Sequence, residues 1–350
     1  MKQTEPQARL YPMKKREGFI PAVQRYSAVH PDNVSTLSVV YLGVQSTSNN
    51  RRIQEDFIEQ ATRLFSGDAA PVLFDFAHYK DPDSYNTTLA VAYWYGEEAA
   101  AQWRSSEVVE QWWNDPAKDN LPVGYFRESF TASIDHAETI LFKELARGLS
   151  ACPMSKVEPM GESGYWGGAR DRIPASAYDL LETPHKEPLA PVADCQSFGK
   201  RLCVEPPANM VLIRSGASWS ECGSEQLQSY QQNLKPVLDE GMEYLRQNPI
   251  DTGCCCLRQL DSLDLQGQPL SENYCAGYFL SMEHLETWAM EHPTHLAIYG
   301  QAQRERTKYK EKLELRTYHE IYVIDRESSF EYINCHPNTG LLPWFETSKN

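Results

Sequence analysis

The sequence predicts an α+β protein in which one small unit is used twice. Three observations carry that reading. The order strand, helix, strand, helix, strand runs through residues 37–132 and returns in residues 209–324. Ala92-Tyr-Trp-Tyr-Gly-Glu-Glu-Ala-Ala-Ala-Gln-Trp103 lies against Gly277-Tyr-Phe-Leu-Ser-Met-Glu-His-Leu-Glu-Thr-Trp288, so that Tyr93 to Tyr278 and Trp103 to Trp288 are both steps of 185. Farther on, Phe126-Arg-Glu128 lies against Tyr318-His-Glu320.

The elements follow in order. Residues 37–46 are apolar and β-branched and read as a strand. Residues 51–65 are helical, with Ile53, Phe57, Ala61 and Leu64 on one face. A strand at 88–95, a helix at 99–113 and a strand at 123–132 complete the first unit. The second has a strand at 209–215, a mostly helical stretch at 225–245, a strand at 276–280, a helix at 283–290 and a closing strand at 315–324. The chain divides into an arm (1–36) laid over the domain, an N-terminal half (37–146), a connecting excursion (147–208) and a C-terminal half (209–345). The excursion is rich in Gly, Pro and charge. It is long for a connection, which suits a cover over a pocket.

Composition bounds the function. Hydrophobic residues make up 41% of 350, enough for a sizeable core, and 19 Tyr, 12 Phe and 8 Trp could line an apolar cavity. The net charge of −15 argues against nucleic acid or an anionic membrane surface as partner. No apolar run is long enough to span a bilayer, and the first residues lack a signal-peptide pattern, so a cytoplasmic protein is expected. Nine cysteines, three of them consecutive at Cys254, Cys255 and Cys256, read as free thiols. The sequence has no Cys-x-x-Cys-His, which leaves no covalent haem attachment.

Two histidines stand where apolar residues are expected. Pro293 suits the first turn of a helix, which puts His295 in line with Ile298, Tyr299 and Ala302 on an apolar stripe. His292, before the proline, is a capping or surface residue. His319 shares its strand face with Leu315, Thr317, Ile321 and Val323, while Arg316, Tyr318, Glu320 and Tyr322 form the other, more polar face. Each histidine could be a ligand or an acid–base group, and pattern alone also allows a core imidazole bonded to a carbonyl. Ser215 shares parity with Val211 and Ile213 and could bond a ligand or cap a turn. Arg170 and Arg172 flank Asp171 and could be no more than a surface ion pair. Glu138 is unremarkable by itself.

Taken together, His292-Pro-Thr-His-Leu-Ala-Ile-Tyr-Gly300, Tyr318-His-Glu-Ile-Tyr-Val323, Asn334-Cys-His-Pro-Asn-Thr-Gly340, Gly164-Tyr-Trp-Gly-Gly-Ala-Arg-Asp-Arg172, Leu212-Ile-Arg-Ser-Gly216 and Tyr41-Leu-Gly-Val-Gln45 resemble the haem-containing aldoxime dehydratases from about residue 38 to about residue 345. The resemblance implies a dimeric α+β barrel with ferredoxin-like halves. It implies a lyase that converts aldoximes, R–CH=N–OH, to nitriles and water, with non-covalent haem b active as Fe(II). His295 would be the iron ligand and His319 the distal acid–base group. Arg172 and Ser215 would bind the substrate hydroxyl, and Glu138 would assist His319. The expected partners are a small aldoxime and a second copy of the chain. The alternatives are a haem peroxidase-like or chlorite dismutase-like enzyme, or a non-catalytic haem-binding protein.

Overall fold

The computed structural model describes residues 9–192 and 195–349. The strands are β1 (Arg25–Val29), β2 (Thr36–Ser46), β3 (Leu73–Lys80), β4 (Asn86–Tyr95), β5 (Gly124–Ser133), β6 (Ala137–Phe142), β7 (Lys156–Met160), β8 (Arg201–Val204), β9 (Val211–Ser218), β10 (Cys254–Leu263), β11 (Pro269–Phe279), β12 (Arg316–Val323), β13 (Ser329–Ile333) and β14 (Ser348–Lys349). They form one sheet in the order β14-β8-β13-β5-β2-β4-β3-β10-β11-β9-β12-β6-β1-β7.

Each expected unit is present with one strand more. β3 is the hairpin partner of β4, and β10 of β11. The two added strands also pair with each other, with Asp261 opposite His78, and so join the halves. Within the sheet the N-terminal half runs β5-β2-β4-β3 and the C-terminal half β12-β9-β11-β10. The helix expected at 99–113 is broken into Glu97–Arg104 and Glu107–Trp113. Ser106 between them is extended and turns its hydroxyl back onto the Trp103 carbonyl at 2.7 Å. The arm is more than a cover, because β1 within it is a sheet strand between β6 and β7. The excursion supplies β7, the short helix Gly168–Arg172 and β8.

The sheet folds so that its halves face each other over an aromatic core. Tyr41 meets Tyr278, Phe130 meets Tyr322, and Tyr93, Phe126, Tyr318 and Tyr332 are buried in the same cluster. This corrects the expectation for the closing strand. Tyr318, Glu320 and Tyr322 of the more polar face do not meet solvent; all three are buried between the half-sheets. A strand covered on both faces shows no clean alternation. His319 does share its face with Thr317 and Ile321, on the outside of the half-sheet.

The two outer faces differ. On the N-terminal half, three helices pack one continuous cluster that includes Phe57, Trp103 and Trp113. On the C-terminal half the apolar contacts split into two clusters, one around Met242, Phe279 and Trp288, the other around Phe142, Tyr230 and Leu234. Between them lies a cavity. Among the described residues no helix is long and apolar enough to cross a membrane. All nine cysteines are free thiols.

Candidate active site

Two adjoining cavities of about 440 and 260 Å³ share Ser215, Leu238, Cys275, His295, Ile298 and His319 in their walls. Their lining is mainly apolar, and their size suits a buried organic ligand. The helix Pro293–Tyr309 forms one wall, and β9 with β12 forms the facing one. The excursion contributes Ser163 and Gly164 to the larger cavity and Tyr165 to Ala169 to the smaller.

Pro293 opens the helix and His292 caps it, accepting from the Thr294 backbone N–H. The His292 ring stacks on Tyr244 with centroids 4.0 Å apart and takes no part in either cavity just described. His295 falls in the first turn and turns inward with Ile298, Tyr299 and Ala302, as their spacing requires. Its ring lies against the edges of Trp288 at 4.7 Å and Trp166 at 6.1 Å. Its Nδ1 is buried with no hydrogen-bond partner among the described residues. Burial pushes its pKa down, and the charge on His319 adds to the fall. A neutral imidazole with lone-pair capacity in an apolar wall can bind a metal.

His319 lies opposite Ser215 on β9 and opposite Ile140 on β6. Its Nε2 is 2.8 Å from Glu138 Oε1. Arg172 grips the same carboxylate with both sides of its fork, Nε to Oε2 at 2.7 Å and Nη2 to Oε1 at 3.1 Å. The Arg172 Nη1 donates to the Glu162 carbonyl at 2.8 Å, and Nη2 stands 3.4 Å from the His319 ring nitrogen. Burial alone would raise the Glu138 pKa, but Arg172 and then His319 outweigh it and bring the group down to about 2. Glu138 is therefore a fixed anion at neutral pH.

All five predicted residues belong to this region, with His295, His319 and Ser215 in both cavity walls and Arg172 in one. Glu138 lies behind His319, on β6. Arg170 and Arg172 are not a surface pair: Arg170 is 7% exposed and bonds Glu286 at 2.6 Å. Asp171 holds the arm, accepting the backbone N–H groups of Lys14 and Lys15 and the Tyr165 hydroxyl. The arm in turn lines the larger cavity with Phe19 to Val23 and Arg25. Sequence reasoning missed that role, since an irregular segment shows no period. It also missed Arg306, although that residue lies on the His295 face of its helix.

Fold and site together define a protein with an apolar cavity between one imidazole and a charged cluster. The family model for haem-containing dehydratases matches residues 40–341, and the chain belongs to that family. It is 34% identical to a phenylacetaldoxime dehydratase of Bacillus sp. (strain OxB-1), over 95% of this chain and 95% of that one. It is 33% identical to an aliphatic aldoxime dehydratase of Pseudomonas chlororaphis, over 93% and 92%. A crystal structure of an aldoxime dehydratase in complex with butyraldoxime superposes with a TM-score of 0.88 at 28% identity, covering 96% of this chain and 93% of that one.

Haem is thus the cofactor, and the residues present fit it. Among the described residues no group of three or more His, Cys, Asp or Glu could hold a bare metal ion. A metal held by His295 would have to bring its other ligands, as iron in a porphyrin does. The apolar cavity beside that imidazole suits the macrocycle.

Proposed function

We propose that the chain dehydrates aldoximes to nitriles, with His295 as the residue that would hold a non-covalent haem b and His319 as the acid–base catalyst. The observation that carries this is the cluster Glu138–His319–Arg172 beside Ser215, across the cavity from His295. Held by His295, a ferrous haem would supply electron density to the oxime nitrogen and so ease N–O cleavage. Ser215 and Arg172 hold the oxime hydroxyl toward His319. As imidazolium, His319 passes its proton to that oxygen; the N–O bond breaks and water leaves. Now neutral, His319 takes the proton from the oxime carbon as the C≡N bond completes, which restores the imidazolium. Glu138 is a positioning residue: its permanent charge holds the imidazole by Nε2. A histidine acting this way is worth ~10²–10⁴ in rate.

His319→Ala should keep the Soret band and lose nearly all nitrile formation, followed by gas chromatography under anaerobic, dithionite-reduced conditions. His295→Ala should lose haem itself. A reduced wild-type protein that forms no nitrile from alkyl or aryl aldoximes would sink the proposal. Equal rates from ferric and ferrous protein would leave His319 as catalyst and remove the iron.

The proposal extends to the architecture, a dimeric α+β barrel with ferredoxin-like halves 37–146 and 209–345, an arm 1–36 and an excursion 147–208. The repeated β-α-β-β-α-β order and the matching strand orders support it. We read the assembly as a cytoplasmic homodimer, which sedimentation of the haem-loaded protein would test.

A further inference from the structure

We propose that Arg25 and Arg306 form the clamp for the two haem propionates. This rests on the reading of His295 as the iron ligand.

Both arginines line the larger cavity together with His295. Arg25 is 7% exposed and lies over the Phe142 ring at 4.7 Å. Among the described residues, neither guanidinium has a carboxylate or any other hydrogen-bond acceptor as partner. Other arginines here do: Arg127, Arg170, Arg172, Arg214 and Arg258 each have a carboxylate within 2.9 Å. One buried and one half-buried cation beside one cavity, in a chain of net charge −15, call for an anion from outside the chain. The electrostatics agree. Burial and then the neighbouring Arg306 bring the Arg25 pKa down to about 9, and burial lowers that of Arg306 as well.

Placement selects the anion. Arg306 follows His295 by eleven residues, three turns of the same helix, so both stand on one stripe. The axial rise is about 16 Å. The arginine leans back toward the helix start. His295 leans the same way with a shorter reach, so the guanidinium lies somewhat less than that rise from the imidazole along the helix. Arg25 comes from the opposite wall. It pairs with Phe142 on β6, two residues beyond Ile140, the register partner of His319. Two arginines from two walls suit two carboxylates on one edge of a flat ligand.

The test uses apoprotein titrated with haem and with haem dimethyl ester, read by Soret absorbance. Wild type should bind the free acid about 30-fold more tightly than the ester. Arg25→Gln/Arg306→Gln should lose that preference while ester binding stays within about 3-fold, and Arg25→Lys/Arg306→Lys should restore most of it. Equal wild-type affinity for acid and ester overturns the clamp and needs no variant. Failure of wild type to bind either form overturns the haem reading instead. A double Gln variant that keeps the preference, but raises KM only for an aldoxime bearing a carboxylate, would assign the arginines to substrate and also overturn the clamp.

Discussion

Glu138 shows how one side chain sets the chemistry of its neighbours. It is 5% exposed and carries a charge because Arg172 and His319 stabilise the anion more than burial penalises it. Its pKa is about 2 in the fold against a usual 4.5. A carboxylate depressed in the folded state adds stability that is fully present above about 4.5 and is lost as pH falls toward 2. Glu138→Gln keeps the shape and removes the charge. It leaves Arg172 buried without its counter-ion, which should cost about 3 kcal/mol at pH 7. The gap in urea midpoint between the two proteins should narrow as pH drops from about 4.5 to 2, because the wild type alone loses this term. A gap that stays constant across that window would mean the carboxylate is not held ionised by the fold.

At the scale of elements, two glycine–aromatic pairs occupy matching places in the halves. Gly216 on β9 lies opposite Tyr318 on β12, and Gly43 on β2 opposite Phe126 on β5. In each pair the ring lies over the glycine. An added Cβ would come within 2.4 Å of Tyr318 at one site, and within 2.2 Å of Phe126 at the other. Gly216→Ala would therefore push Tyr318, and with it the backbone of His319, away from Ser215. Gly43→Ala delivers the same insult in the half that lacks His295 and His319. Both should lose about 1–3 kcal/mol of stability. Only Gly216→Ala should also lower kcat per bound haem, by about 10-fold or more, since the displaced strand carries the acid–base group. Equal kcat in the two variants would break the link between this pair and catalysis.

The same elements mark what the chain reveals before folding. His295 and its stripe are legible because Pro293 fixes the helix phase. His319 is legible by parity with Ile321, although the more polar face beside it is core. β3 and β10 are not legible: β10 opens on three cysteines and carries Arg258, Gln259 and Asp261, so its apolar pattern is interrupted. Arg258 finds its partner far along the chain, in Glu128. The Glu138–Arg172 contact likewise joins residues 34 apart, which no local pattern encodes. The family resemblance, rather than periodicity, brought Glu138 and Arg172 to the site.

At the scale of the whole molecule, the halves are bound by reciprocal buried contacts. Glu320 on β12 accepts from the Tyr93 hydroxyl of the other half at 2.7 Å, and Glu128 on β5 accepts from Tyr278 at 3.2 Å. The strands themselves cross over: β6 follows β5 but pairs with β12, while β13 follows β12 but pairs with β5. Each half therefore completes the other's sheet. The difference lies outside. Where the C-terminal half places His319 beside a cavity, the N-terminal half places Arg127 under Trp113, 4.4 Å from the ring, and bonds it to Glu331 at 2.7 Å. A tryptophan-rich helical layer packs against that outer face, where the C-terminal half has the cavity shared by His295 and His319.

The strength of the inner contacts can be measured without touching the site. Glu128 is fully buried and accepts from both Arg258 terminal nitrogens, at 2.7 and 2.6 Å, and from the Tyr278 and Tyr332 hydroxyls. Arg258→Met removes the cation and leaves an anion that two hydroxyls cannot neutralise, at a cost of about 3–5 kcal/mol. Adding Glu128→Gln removes the stranded charge but keeps an acceptor for the tyrosines. The double variant should therefore be more stable than Arg258→Met alone, by at least about 1 kcal/mol in a urea titration. The order of these two midpoints is the informative quantity, because simple additive damage would put the double variant lower. Haem content and kcat should stay within about 2-fold in both, since Glu128 and Arg258 lie between the half-sheets and the cavity lies outside them. A double variant less stable than Arg258→Met would show that packing, and not the pairing of charge, holds the two halves together at this point.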